Sequence, residues 1–318
     1  MDVLKPQASI QERWSDALAH RFHINRFQLS KLLFVYLSLL PILALFAFLR
    51  LVPITTSFQL SFFQSNLINP ANKFIGLDNF KDLLQDELFI LAIRNTTLFA
   101  ISGVLLSILI ALGLAVLLAK RSRLGGLYET IYFLPVITPW VAVSVIWKWI
   151  YDPSYGLLNY ILSWFGIKPI GWLIDPNIAL IAVIILAVWK SIGYNMIILL
   201  VGIRDIPEVY YEAAQLDGAN GWGLFRYITL PLLRPILLFV AIVSTINAYN
   251  VFTPVYIMTT GSQGAQGNAV RTLVFDIYEN AFRYFKWGYA SAEAVSLFLI
   301  VLLLTIIQFR LGRSSESV

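Results

Sequence analysis

Six predominantly apolar stretches run through the chain, at residues 32–52, 96–119, 131–150, 178–203, 236–258 and 290–309. Each approaches or exceeds the roughly 20 residues a helix needs to cross the hydrocarbon core of a bilayer. Lipid offers no hydrogen-bond partners, so a spanning segment must satisfy its backbone as a helix or within a closed barrel. These stretches are continuous and lack the alternation of barrel strands. The expected fold class is an all-α integral membrane protein with six transmembrane helices. Composition agrees: of 318 residues, 58% are hydrophobic and 13% charged, with a mean hydropathy of +0.75. Soluble domains carry about 25% charged residues. The third and fourth stretches are the weakest, each holding a lysine, Lys148 and Lys190.

The chain has no cysteine, which excludes disulfides, thiol catalysis and cysteine-ligated metals. Its two histidines, His20 and His23, lie in the charged N-terminal segment, far from membrane depth. No metal site and no cofactor are expected in this chain. The net charge of +5 reflects membrane orientation rather than nucleic-acid binding. With the N-terminus inside, the inner connections hold thirteen Lys and Arg residues against seven outside, so both termini are expected in the cytoplasm. Residues 1–31 read as a cytoplasmic leader rather than a cleaved signal, because no apolar run ends in a small-residue cut site. Residues 32–313 form one transmembrane domain and 314–318 a tail.

The connections differ in character. In the long outer segment 53–95, Gly76-Leu77-Asp78-Asn79-Phe80 suggests a short amphipathic helix capped by Asp78. Trp149, Tyr151, Trp164 and Trp172 suit a membrane–water boundary. Lys120-Arg121-Ser122-Arg123 reads as a tight basic turn and Gly261-Ser262-Gln263-Gly264 as a flexible stretch.

The inner connection 204–235 is the most specific. Pro207 fits the first turn of a helix, where its missing N–H is harmless, and Glu208 complements the positive helix end. Gly218 can adopt the left-handed conformation that stops it. A second short helix then runs towards Leu230, and Pro231 and Pro235 set the entry into the fifth span. Such a short helix is not stable alone, so it packs on its own bundle or on a partner. Both readings stand on the residues alone.

Glu212-Ala213-Ala214, three residues, Gly218, nine residues, and Ile228-x-Leu230-Pro231 reproduce the EAA signature. On that motif the chain resembles the permeases of ATP-binding-cassette importers. Gly76-Leu77-Asp78-Asn79-Phe80, Asp152-Pro153-Ser154-Tyr155-Gly156 and Thr229-Leu230-Pro231-Leu232-Leu233 are similar to the carbohydrate-uptake branch, the maltose- and glycerol-3-phosphate-type permeases. The resemblance covers about residues 30–313. It departs from the maltose permease in lacking two extra N-terminal spans and a large periplasmic insert.

The resemblance implies the type I importer permease fold, in a prokaryotic inner membrane, and a subunit that is not an enzyme. It implies as partners a second, homologous permease in a heterodimer, two ATPase subunits carrying ATP and magnesium, and an extracytoplasmic solute-binding protein. Glu212, Ala213, Ala214, Asp217 and Gly218 would form the contact with the ATPase; for Glu212 a solvated surface carboxylate is the plain alternative. Polar groups within spans mark a path or a partner. Lys190, Ser191, Tyr194 and Asn195 on the fourth span, with Ser244, Asn247, Tyr249 and Asn250 on the fifth, are the candidates for a solute path. Ser244, Asn247 and Asn250 follow one another at i, i+3 and share a helix face. Hydrogen-bond glue between helices explains any one of them equally well. Lys190 can line the path, snorkel, or pair with Glu293. Gly103, Gly113 and the residues around Ser107 read as close-packing positions.

The expected function is the permease half of an importer for a sugar, oligosaccharide or polyol. A glycerophosphate importer is the alternative, and a self-contained secondary carrier a remoter one. An enzyme would need a catalytic cluster, and Asp152 and Asp175 each precede a proline, a turn signal.

Overall fold

The computed structural model describes residues 26–66, 73–120, 123–259 and 268–313. Most of the basic leader, part of the Lys120–Arg123 turn, the Gly261–Gly264 stretch and the C-terminal tail lie outside the described residues. The chain divides into two compact units, Met1–Gln59 and Leu60–Val318. In the first, the helices Arg26–Phe46 and Val52–Leu60 are joined through one π turn, Ala47–Leu51. Pro53 has no N–H to return to the carbonyl four residues earlier, and the ladder widens at that point. The hydroxyl of Thr55 donates to the Leu51 carbonyl at 3.0 Å.

In the second unit, a two-stranded antiparallel pair (Phe63 opposite Phe74) leads into the helix Asp78–Gln85. Asp78 does not cap it: Leu77 occupies the cap, and the Asp78 carboxylate, one position inside, accepts from Lys81 at 2.8 Å. The next helix, Glu87–Ala119, is capped by Asp86, whose side chain accepts from the Leu88 N–H at 2.8 Å. Burial works against ionisation of Asp86, but the Tyr289 hydroxyl and the backbone N–H groups of Leu88 and Phe89 hold it below the usual carboxylate range.

Three further long helices are apolar enough to cross a membrane: Ala179–Arg204, Arg234–Thr259, with a break at Asn250, and Trp287–Gly312. The third expected span is not straight. It forms two helices, Gly125–Ile137 and Trp140–Ile150, bent by 98°. Its residues include Pro135 and Pro139, and two missing N–H groups four apart remove successive helical bonds. Ala179–Arg204 is the most buried of the spans, and its small residues admit neighbours closely. A Cβ at Gly193 would collide with the Tyr132 carbonyl of the bent span. Of the boundary aromatics, Trp149 and Trp164 are exposed. Tyr151 is buried, donating to the Ala182 carbonyl at 2.9 Å.

The end of the bundle where Glu87–Ala119 begins is held by a buried ionic network. Arg271 pairs with Asp276 at 2.7 Å and with Glu279 at 2.8 Å, and Arg283 reaches Glu279 at 2.7 Å. Asn95 donates to the carbonyls of Ala269 and Arg271, at 3.1 and 3.0 Å. Asn280 donates to Glu293 at 2.8 Å.

Candidate functional site: a polar cavity and a capped surface helix

A cavity of about 430 Å³ opens where the bent span and the helices Glu87–Ala119, Ala179–Arg204 and Arg234–Tyr249 meet. That lies within the range of small-molecule sites. Ser191, Tyr194 and Asn195 line it from the fourth span, and Ser244, Asn247 and Asn250 from the fifth. The i, i+3 spacing accounts for the second set, since three residues advance a helix by slightly less than one turn. Asn195 is tied down: its Nδ2 donates to Ser107 Oγ at 3.2 Å, and Ser244 Oγ approaches its Oδ1 at 3.4 Å. Asn250 Nδ2 donates to the Ile246 carbonyl at 2.7 Å. Tyr249 is not brought to the cavity; it is buried, with its hydroxyl 3.1 Å from that of Thr97.

Lys190 touches the cavity, but its ammonium donates to backbone carbonyls of the bent span at 2.6 Å (Pro135) and 2.6 Å (Thr138). The pairing with Glu293 that the sequence allowed is not made: the ammonium is taken up by those carbonyls, and Glu293 Oε1 accepts from Asn280 instead. Gly103 and Ser107, read as packing positions, also line the cavity, as do Phe99, Trp140 and Phe252. Ser107 carried a usable signal: a hydroxyl in mid-span on a face that a buried asparagine can reach. Aromatic faces alongside amide and hydroxyl groups give the wall both donors and flat apolar surface.

At the opposite end, Glu208–Leu216 forms the capped helix of the 204–235 connection. Pro207 is its N-cap rather than its first turn. Gly218, at φ +83°, follows the C-cap Asp217. Its N–H bonds the Gln215 carbonyl at 3.0 Å and the Ala219 N–H bonds that of Ala214 at 2.9 Å, the paired closure of a Schellman end. Tyr211 fixes the helix to the following segment through Thr229, hydroxyl to hydroxyl at 3.0 Å. Glu212, Ala213, Asp217 and Gly218 are exposed and Ala214 is half-buried. Val209, Leu216, Trp222 and Tyr227 are exposed too, Leu216 to 90%. Asp152 and Asp175 serve local turns: Asp152 accepts from the Ser154 N–H at 2.8 Å and Asp175 from the Asn177 N–H at 2.9 Å.

A bent-span helical bundle with such a loop defines a class, the non-catalytic transmembrane permease subunit of an ATP-binding-cassette importer, whose ATPase is a separate subunit. The family model for the inner membrane component of binding-protein-dependent transport systems matches residues 103–316, and the chain belongs to that family. It is 33% identical over 278 residues to the trehalose/maltose transport system permease protein MalF of Thermococcus litoralis, covering 87% of this chain and 93% of that one. It is 32% identical over 281 residues to the sn-glycerol-3-phosphate transport system permease protein UgpA of Agrobacterium fabrum, covering 86% and 93%. Among solved structures, a bacterial ABC transporter involved in import of the acidic polysaccharide alginate has a similar fold. Its TM-score is 0.79 at 24% identity, over 90% of this chain and 96% of that one. The protein is therefore a multi-pass inner-membrane permease.

Proposed function

We propose that this chain forms half of the translocation path for a sugar, oligosaccharide or polyol, and that the cavity is its solute-facing wall. The observation that carries the reading is the convergence of Ser191, Asn195, Ser244, Asn247 and Asn250 with Trp140 and Tyr194 on one mid-span cavity. Hydroxyl-rich rings need paired donors and acceptors together with flat apolar faces. The exposed Glu208–Leu216 helix meets an ATPase subunit, with Glu212 facing a basic group and Gly218 shaping the turn. The complete importer holds a second, homologous permease, two ATPase subunits that bind ATP and magnesium, and a solute-binding protein on the far side. Both termini lie in the cytoplasm, in accord with the charge bias of the connections. The glycerol-3-phosphate permease among the relatives favours a second reading, a phosphorylated polyol.

Asn195→Leu and Asn250→Leu test the path. Asn195→Leu is expected to lower uptake by about tenfold or more, since an unmatched polar contact in a buried site costs on the order of 1–3 kcal/mol, and Asn250→Leu, at an exposed position, should give a smaller fall. Basal ATP hydrolysis by the assembled importer should persist. Normal uptake in both variants removes the assignment.

A further inference from the structure

We propose that Lys190 is the fastener that holds the third span bent, and that the wall this chain gives the cavity consequently offers solute no free charge. The second half rests on the reading of the cavity as a solute path; the first does not.

The bend is written into Pro135 and Pro139. In a continuing helix the Pro135 carbonyl would accept from the N–H of residue 139, and proline has none. That carbonyl is orphaned by covalent structure, and the helix stops at Ile137. Lys190 supplies the missing donor from the neighbouring span. Its Nζ donates at 2.6 Å to the Pro135 carbonyl and at 2.6 Å to that of Thr138, with the Val136 carbonyl at 3.4 Å. An ammonium has three N–H bonds, and three carbonyls stand ready to take them. The Trp140 ring adds its face, with its centroid 4.9 Å from Nζ.

The charge balances in the same place. Lys190 is only 6% exposed, and a lone buried ammonium is costly. The C-terminal end of Gly125–Ile137 carries the negative pole of the helix and its unpaired carbonyls, so the lysine finds there the partner that no carboxylate among the described residues provides. One turn along, Gly193 lets the two backbones touch, for a Cβ would strike the Tyr132 carbonyl. Lys190 and Gly193 together bolt the fourth span to the end of the first half of the bent one. The second half then starts at Trp140, which with Val136 faces the cavity.

Among the described residues that line the cavity, Lys190 is also the only lysine, arginine, aspartate, glutamate or histidine. Its protons are committed, so a phosphate or a sugar acid would have to displace backbone carbonyls to engage it. Serine, threonine, tyrosine and asparagine side chains remain, and these suit uncharged polyhydroxyl compounds.

The cysteine-free chain permits a direct test in the complete importer. Spin labels on cysteines replacing Leu134 and Trp149, both exposed, report the angle between the two halves by pulsed electron resonance. A narrow distance distribution is expected with Lys190, a broadened and shifted one in Lys190→Met, and a narrow one again in Lys190→Arg, which keeps donors. Uptake in the Met variant should fall about tenfold or more, the consequence of orphaning a buried carbonyl, and equally for neutral and acidic solutes. If Met blocks assembly while Arg permits it, the fastening role is supported, because a solute-reading lysine is not needed for assembly. An unchanged distance in the Met variant overturns the proposal. So does selective loss of acidic-solute uptake, or failure of both variants to assemble. Normal uptake in both Asn195→Leu and Asn250→Leu beside the expected distances would remove the path reading and leave the fastener standing.

Discussion

The two ends of the bundle close their polar groups in opposite ways. Around Arg271, Asp276 and Glu279, charges are buried and answered within the chain: Arg271 is 6% exposed and meets Asp276 at 2.7 Å and Glu279 at 2.8 Å. Around residues 207–227, side chains are left open, Glu212 and Asp217 among the charged and Leu216, Trp222 and Tyr227 among the apolar. A buried ion pair needs its partner at once, since desolvation is recovered only through close pairing. An exposed amphipathic helix of nine residues can wait for a partner, because water satisfies its polar face and the bundle anchors it through Tyr211 and Thr229. One end is thus closed within this chain, and the other leaves charged and apolar side chains open.

The largest effect is expected where closure is internal. Arg271→Met strands the Asp276 carboxylate, leaves Glu279 with Arg283 alone, and should cost about 3–5 kcal/mol, read as a lowered unfolding midpoint of the detergent-solubilised importer. A loss no greater than that of an average surface change would mean the seam is not the stabilising end. Next comes Gly218→Val. At φ +83° a β-branched residue is strained by about 1–2 kcal/mol. Since a Cβ there meets nothing within 4 Å, the damage should stay in the loop and appear as weakened ATPase coupling. Smallest in stability is Glu212→Lys, which should change the unfolding free energy by less than about 0.5 kcal/mol. It should nevertheless abolish stimulation of ATP hydrolysis by the loaded binding protein. Intact stimulation would leave Glu212 a solvated carboxylate.

Much of this was legible in sequence, for a physical reason. Spans announce themselves by length and hydropathy, and the 207–218 helix by Pro207, Glu208 and Gly218, whose backbone demands are local. The bend was hidden because hydropathy is blind to hydrogen bonding, although prolines at 135 and 139 spelled out an orphaned carbonyl. Lys190 looked like a path or ion-pair residue because its acceptors are backbone atoms 55 and 52 residues away, which no side-chain pattern reveals. Tyr249 shared a polar neighbourhood with Asn247 and Asn250, yet faces Thr97 rather than the cavity. The Arg271 network was invisible for another reason: its members read singly as loop charges.

Reconstitution into vesicles tests the central claim most directly, that this permease is a passive wall driven from its open end. Solute uptake should require the ATPase subunits and ATP, and should vanish when the ATPase subunits are omitted. Accumulation of solute against a gradient by the permease subunits alone would contradict the account.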